Sequence, residues 1–528
     1  MSYLSKHTST KVTPQSAPIP GSTQVANSAG GYSWAVDCWT RMQRFLILGS
    51  EGGSYYATEK KLTLENTAAV RECIRMDGRR AVDIIVDVSR AGRAPRNEPA
   101  LFALALAAKE ESNCDTRAYA LSKLSEVART GTHLLHLAAM LDELGGWGRG
   151  TRSAFARWYN EKLPEGLAYQ LIKYQQRDGW SHRDVMRLAH PVPRSAEHAR
   201  LFDWACNGGM DEKQTSKLVN AFEAAKKATI PELIRLIQEY RLPREAIPTE
   251  ALKEPSVWEA LLHEPMGMTA LIRNLATMTR VGLIAPLSAA TKHIVERLQD
   301  EKQLLAGRVH PIQILSALLT YSSGHSTRGS STWAPSQNIV SALDVAFYKS
   351  FGLLEKNNAR TMLAVDISGS MDGGEVAGVP GLTPRIASAA MALVTANTSS
   401  NYLIAGFSHH LVELEISPRD RLDTVVKKLQ QYPMGSTDCS LPMTAAQVSK
   451  WPVDLFVTYT DSETYMGHIH PAQALKQYRK AMGINSKSVV VGMVSNGFTI
   501  ADPNDRGMLD VVGFDTATPN IIADFAKE

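Results

Sequence analysis

The sequence predicts two kinds of fold in succession: a mainly α region of repeated helix pairs over residues 32–355, and a doubly wound, Rossmann-like α/β region over residues 356–528. Helix-start signals recur along the first region, and no segment there alternates convincingly with the period of a strand. In the second region, two short apolar runs each end in an aspartate, as buried parallel strands do at a ligand-binding sheet edge. The net charge changes sign at the same place. Residues 1–355 carry 43 basic against 36 acidic side chains, whereas residues 356–528 carry 14 against 17.

Capping residues mark the helix starts of the first region. Ser181 and Thr229 each precede an acidic residue by three positions, which is the capping-box pattern. Asp115 and Thr132 precede segments whose apolar residues recur at roughly helical spacing. Medium-length helices with short polar connections, and without a fixed repeat length, predict an irregular α-solenoid of HEAT-like helix pairs.

Composition limits where the chain acts and what it binds. Residues 1–31 are rich in Ser, Thr, Pro and Gly and lack the apolar centre of a signal peptide, so we interpret them as a flexible tail. No stretch approaches the roughly 18 apolar residues of a membrane span, and no membrane association is expected. The five cysteines are scattered without a Cys-x-x-Cys pair, which favours reduced thiols, a cytoplasmic location and no zinc site.

The densest cluster of side chains suited to RNA lies in one stretch of the first region. Lys173 and Arg177 are four residues apart, which predicts that they share a helix face and straddle phosphates. The helix that follows carries His182 and Arg187, with His190 at its end, where an imidazole ring is able to stack on an unpaired base. The stretch therefore indicates an RNA-binding surface.

Arg149 belongs to a second basic patch, Gly146-Trp-Gly-Arg149-Gly-Thr-Arg152, and is a further candidate for RNA contact. A simpler interpretation of both patches stays open, in which the cations form a solvated helix face and Trp180 belongs to the core. A net positive charge favours polyanion binding by this region without establishing it.

The first apolar run of the C-terminal region, Met362–Val365, leads directly into a loop with Asp366, Ser368 and Ser370. One carboxylate and two hydroxyls form an oxygen donor set that suits a hard divalent cation, with Mg²⁺ as the expected ion. The alternative is an Asx or Ser turn that caps the next helix.

Two later segments strengthen the metal hypothesis. Thr437 lies in a polar loop before a helix, and Asp461 ends the second apolar run. The three loops together resemble the metal-ion-dependent adhesion site of von Willebrand factor A domains. The resemblance implies that the ion is held by Asp366, Ser368, Ser370, Thr437 and Asp461. It also implies an open coordination position for an acidic group of a protein partner.

Six stretches distributed over both regions carry a more specific resemblance: Gly49–Tyr56, Gly146–Arg149, Gln176–His182, Ala270–Leu275, Gly435–Pro442 and Ser495–Asp502. They are similar, in the same order, to signature stretches of the Ro ribonucleoprotein family. The resemblance implies a helical-repeat module closed into a ring, with a von Willebrand factor A domain joining its ends.

The same resemblance implies a function in RNA quality control. Members of the family bind small noncoding Y RNAs on an outer basic surface and take single-stranded 3′ ends of misfolded RNAs through the ring. Lys173, Arg177 and His190 fall where the family uses a Lys, an Arg and a His against Y RNA. An exoribonuclease is a candidate partner, and a monomer is the expected oligomeric state.

Catalysis is not expected from this sequence. The chain has no Gly-x-Ser-x-Gly elbow, no His-Glu-x-x-His motif and no phosphate-binding loop, so we interpret the protein as a binding protein and not as an enzyme. The alternative function is a metal-dependent protein-interaction scaffold that binds no RNA.

Overall fold

A computed structural model describes residues 12–49, 59–110, 112–208, 216–263, 266–326, 329–429, 431–432 and 435–527. They form two compact units. The first, which we call the sheet unit, combines the residues before Val70 with those from Phe351 onward. The second, the helical unit, comprises Val70–Ser350 and is inserted into the chain of the sheet unit. The helical unit begins at Val70, whereas the helical region predicted from the sequence begins at residue 32.

The secondary structure is numbered in chain order. The helices are α1 Cys38–Leu48, α2 Glu59–Met76, α3 Gly78–Ala91, α4 Glu98–Ala108, α5 Cys114–Ser122, α6 Leu124–Val127, α7 Gly131–Glu143, α8 Arg149–Glu161, α9 Pro164–Lys173, α10 His182–Ala189, α11 Ala196–Asn207, α12 Lys217–Ala225, α13 Ile230–Tyr240, α14 Pro255–His263, α15 Met268–Arg280, α16 Ala289–Leu298, α17 Glu301–Ala306, α18 Pro311–Ser323, α19 Gln337–Lys349, α20 Pro384–Thr398, α21 Leu422–Leu429, α22 Leu441–Val448, α23 Pro471–Met482 and α24 Thr518–Lys527. The strands are β1 Val25–Ala26, β2 Tyr32–Ala35, β3 Gln176–Arg177, β4 Trp180–Ser181, β5 Asn357–Asp366, β6 Ser399–Phe407, β7 Leu411–Glu413, β8 Leu455–Thr460, β9 Lys487–Gly492, β10 Phe498–Thr499 and β11 Met508–Val512.

The helical unit has two of the predicted caps, at Ser181 and Thr229, whereas α5 and α7 are capped by Asn113 and Thr130 and not by Asp115 and Thr132. Ser181 and Thr229 both form capping boxes, in which an acidic side chain three residues later accepts from the backbone N–H of the cap. Each cap satisfies backbone donors that a helix start otherwise leaves unpaired. Among the described helices, none combines the length and the apolar character that a membrane crossing requires.

A regular spacing appears in the hydrogen bonds between helices of this unit. Six of them join residues that are 36 positions apart: Asp83 with Tyr119, Arg90 with Glu126, Asn97 with His133, Leu121 with Arg157, Ser125 with Glu161, and Lys162 with His198. An offset of 36 residues therefore recurs between neighbouring helices over residues 83–198, as it does in a stacked repeat. The sequence predicts no fixed repeat length, and other hydrogen bonds in the same region join residues 30, 39, 40 and 42 positions apart.

The sheet unit is built on a six-stranded sheet in the order β11-β9-β8-β5-β6-β7. Every neighbouring pair is parallel except β6 and β7. The two central strands, β5 and β8, lie side by side, and all six residues of β8 are buried. Because they are parallel, both carboxyl ends lie at the same edge of the sheet, as the sequence predicts for a ligand site.

The described part of the predicted tail, residues 12–31, does not form a flexible tail. It packs within the sheet unit, where β2 pairs with both β1 and the distant β10. Trp34 of β2 is 2% exposed and belongs to the same buried cluster as residues of β5 and β8. Residues 1–11 lie outside the described part of the chain.

Gln15 anchors this N-terminal segment to the loop that carries Asp438 and to the residues that follow β8. Its amide nitrogen donates to the Asp438 carboxylate at 2.8 Å and to the Ile469 carbonyl at 2.8 Å. Its amide oxygen accepts from the hydroxyl of Thr464 and from the backbone N–H of Gly467. A fully buried amide with both ends hydrogen-bonded holds a segment in place, and Ser, Thr and Pro content alone does not reveal such bonds.

Candidate functional site

The basic stretch of the helical unit contains a short hairpin. Helix α9 ends at Lys173, and Arg177 pairs with Trp180 across β3 and β4. The two turn residues, Asp178 and Gly179, have φ values of 49° and 78°, as a tight type I′ turn requires. The expectation that Lys173 and Arg177 share one helix face is therefore wrong, and the Asp-Gly pair is the sequence signal that was missed.

Helix α10 presents an exposed basic face directly after this hairpin. Arg183, Arg187 and His190 are all exposed; Arg183 and Arg187 are four residues apart and project from the same side of the helix, and His190 follows its last residue. His190 caps the helix with φ 48°, in the left-handed region that ends many helices. Arg183 was missed as a candidate, although its spacing of four from Arg187 already indicated a shared face.

His182 lies on the opposite side of α10 and is 4% exposed. Its Nδ1 is 2.9 Å from the Tyr159 hydroxyl, and its ring lies parallel to that of Trp158 at 6.3 Å. Burial lowers the pKa of His182 to about 4, so the ring is neutral at physiological pH. A buried, neutral and hydrogen-bonded ring is a core residue, which corrects the prediction that His182 contacts RNA.

The remaining candidates differ in exposure. Lys173 is half-buried, and its Nζ lies 5.2 Å from the ring centroid of Tyr169 and 5.4 Å from that of Tyr174. Arg149 is exposed at the first position of α8. Trp180 is half-buried and stacks on Trp147 at 5.6 Å, so the interpretation of Trp180 as a structural residue is the favoured one.

The candidate metal site lies at the carboxyl edge of the central strands in the sheet unit. Asp366 ends β5, and Asp461 follows β8 directly. One Asp366 oxygen accepts from the Ser368 backbone N–H at 2.9 Å, and the other accepts from the Thr460 hydroxyl at 2.7 Å. The Ser368 hydroxyl lies 3.0 Å from that of Ser370.

Backbone hydrogen bonds join the three loops that carry the candidate ligands. The N–H of Gly369 donates to the Gly435 carbonyl at 3.1 Å, which ties the first loop to the second. The carbonyl of Thr437 accepts from the N–H groups of Tyr465 and Met466, which ties the second loop to the third. The structure therefore brings the predicted loops together.

The electrostatics of this edge fit a cation. Burial, and then the neighbouring Asp461 carboxylate, raise the pKa of Asp366, and burial also raises the pKa of Asp461. Two adjacent buried carboxylates are costly when ionised unless a positive charge lies between them. Within the described residues, no three His, Cys, Asp or Glu side chains come together as a metal site. A cation here would depend on Ser368, Ser370 and Thr437 as well, and such a hard oxygen set fits Mg²⁺.

An array of paired helices, combined with a doubly wound sheet that gathers Asp366, Thr437 and Asp461 at one edge, defines a helical-repeat protein with a von Willebrand factor A domain. The chain belongs to the Ro60 family: the model of the TROVE domain matches residues 25–242 and 235–320, and that of the Ro60 vWA domain matches residues 360–526.

Similar proteins cover nearly the whole chain. Over 509 residues the chain is 43% identical to the RNA-binding protein RO60 of Deinococcus radiodurans. The alignment covers 96% of this chain and 95% of that protein. It is 34% identical, over an alignment of 581 positions, to the protein of the same name from Caenorhabditis elegans. That alignment covers 95% of this chain and 90% of the other protein. The crystal structure of the Deinococcus radiodurans RO (RSR) protein superposes with a TM-score of 0.70 at 42% identity, covering 93% of this chain and 99% of that one. These findings confirm the predicted family and fold. Both relatives are named as RNA-binding proteins and not as enzymes, which agrees with the expectation of a binding protein.

Proposed function

We propose that this protein binds structured noncoding RNA on the basic face formed by Arg183, Arg187 and His190 of α10, with Arg177 on the adjoining hairpin. The observation that supports this proposal is that all four side chains are exposed, with Arg183 and Arg187 on one face of α10 and His190 at its C-terminal cap. Such a face matches a row of phosphates, and the His190 ring adds a surface on which a base is able to stack. The names of the two relatives support the same class of ligand.

The finer function follows the family resemblance. The RNA is a small Y-like noncoding RNA, and the protein also takes single-stranded 3′ ends of misfolded RNAs through a ring, in RNA quality control. It acts in the cytoplasm as a monomer, with an exoribonuclease as a partner. Lys173 and Arg149 extend the RNA surface from neighbouring segments of the helical unit.

The decisive experiment is filter binding of a structured small RNA at two salt concentrations. Replacing Arg183 and Arg187 together by Gln removes two phosphate contacts, so the slope of log K against log salt should become shallower by about 1.4–1.8. The matched control replaces Lys253 and Lys292, which are exposed on other segments of the helical unit, by Gln. No RNA binding by the wild-type protein at low salt would refute the proposal.

A second function is supported by the sheet edge itself. We propose that Asp366, Ser368, Ser370, Thr437 and Asp461 hold a divalent cation, Mg²⁺, with a position open to an acidic group of a protein partner. The buried carboxylates and hydroxyls at that edge support the site. If RNA binding is absent while Mg²⁺ binds, the protein is a metal-dependent interaction scaffold.

A further inference from the structure

A cavity of about 390 Å³ lies beside Lys173 in the helical unit, and no residue of α10 lines it. Its wall is largely apolar, with Leu218, Leu242 and Leu261, and two aromatic rings, those of Tyr169 and Tyr240, line it as well. The volume falls in the roughly 300–1,000 Å³ range of small-ligand sites. A cavity with apolar walls and aromatic rings suits a flat, hydrophobic-faced group such as a nucleobase.

The charges around the cavity add a second requirement for its ligand. Lys173, Arg241 and Arg244 line it together with Glu165 and Glu245, so its lining carries one net positive charge. A phosphodiester carries one negative charge. The two carboxylates are acceptors for the N–H groups on the edge of a base, in the way that acidic side chains read cytosine or other amino-bearing bases.

Arg244 contributes one of the positive charges of this lining. Its Nε is buried, yet among the described residues no acceptor lies within hydrogen-bonding distance of it. Because that atom is closed to solvent, it is the positive charge of Arg244, and not its Nε donor, that the cavity offers to a ligand.

From these observations we infer that the cavity receives one unpaired nucleotide of the bound RNA, with the base against Tyr169 and Tyr240 and its phosphate beside Lys173 and Arg244. The inference rests on the proposed RNA binding and deepens it. Lys173 and Arg177 are separated by four residues, which span at most about 14 Å, so one RNA is able to reach both the cavity and the basic face. In this arrangement, Lys173 is half-buried against Tyr169 because both side chains line the nucleotide site.

The test uses a glycine on the cavity wall. Gly166 lines the cavity, and a Cβ added there meets no atom within 4 Å, so the first carbon of a new side chain enters open space. Gly166→Trp is designed to block the cavity with an indole, whereas Gly166→Ala is the matched control that adds only a methyl group. Circular dichroism establishes that both variants keep the helical content of the wild-type protein.

Each protein is titrated in a filter assay with two RNAs: a hairpin with a single bulged adenosine, and the same hairpin with the bulge deleted. Base stacking on aromatic side chains predicts that the wild-type protein and Gly166→Ala bind the bulged RNA at least about fivefold more tightly. Gly166→Trp should lose this preference and keep its affinity for the hairpin without the bulge.

The possible results separate the two proposals. Equal affinity of the wild-type protein for both RNAs overturns the nucleotide site and leaves the basic face intact, whereas no binding of either RNA overturns both. A third arm measures free adenosine 5′-monophosphate by equilibrium dialysis. Saturable binding of that nucleotide that Gly166→Trp abolishes, without any preference for the bulge, would assign the cavity to a free nucleotide and refute the inference.

Discussion

Replacing Arg44 by Met should destabilise the sheet unit by about 3–5 kcal/mol, which is the cost of removing one partner of a buried ion pair. The Arg44 side chain is 1% exposed, and its Nη2 lies 2.8 Å from both carboxylate oxygens of Asp510. Its Nη1 donates to the carbonyls of Asn496 at 3.1 Å and Phe498 at 2.8 Å. The substitution keeps much of the side-chain volume but leaves a largely buried carboxylate and two carbonyls without their donor.

Hydrogen exchange of the β11 amides measures this loss locally. A decrease of 3–5 kcal/mol corresponds to a fall in protection of about two to nearly four orders of magnitude. Arg41→Met is the matched control, because Arg41 is 24% exposed and lies 3.8 Å from Glu65, which is itself 42% exposed. A surface pair of that kind contributes about 0–1 kcal/mol.

The destabilisation should also depend on pH. Burial raises the pKa of Asp510, and Arg44 opposes that rise, so removing Arg44 raises the pKa further. A carboxyl with a raised pKa binds its proton more tightly in the folded state, and folding becomes less favourable as pH rises through that pKa. The variant should therefore lose less stability at pH 5 than at pH 8, and Asp510→Leu should rescue it. A loss below about 1 kcal/mol, or one that is independent of pH, would refute the reasoning.

Three further predictions concern the two candidate sites. Asp366→Ala should lower Mg²⁺ affinity at least tenfold more than Ser368→Ala, because it removes the only anionic ligand of the first loop. Calorimetric titration of both variants measures the two affinities, and equal losses would contradict the prediction. Arg187→Gln should weaken RNA binding and make the salt slope shallower by about 0.7–0.9 in filter binding, whereas an unchanged slope would exclude a phosphate contact. His182→Ala should lower the thermal midpoint, with a loss of about 1–3 kcal/mol in the free energy of unfolding, and leave the RNA affinity of the folded protein unchanged. Reduced RNA affinity in a fully folded variant would place His182 in the RNA site.

Local signals in the sequence were sufficient for much of the fold. The capping residues Ser181 and Thr229 form the predicted caps, and Asp366 and Asp461 end adjacent buried strands. These features depend on a few neighbouring residues, whose chemistry is visible in any short window. The type I′ hairpin at Asp178 was readable in the same way but was overlooked.

Other features depend on contacts that no short window contains. The 36-residue spacing in the helical unit emerges from hydrogen bonds between different side-chain types, such as Tyr119 with Asp83 and Arg157 with the Leu121 carbonyl, so it leaves no repeated motif. The inward orientation of His182 depends on Tyr159, which lies in a different helix. The same limitation explains why the N-terminal segment was interpreted as a tail.

The anchoring of Gln15 has a consequence for the time course of synthesis. Its hydrogen-bond partner Ile469 lies 454 residues later, and ribosomes add about 5–20 residues per second, so Gln15 emerges roughly 20–90 seconds before its partner exists. During that interval, Trp34 and the other residues of the N-terminal segment remain without the core that later buries them. A segment that must wait in this way benefits from being soluble while unfolded, and its Ser-, Thr- and Pro-rich composition has that property. The composition that resembles a permanently flexible tail is thus suited to a segment whose partners are synthesised much later.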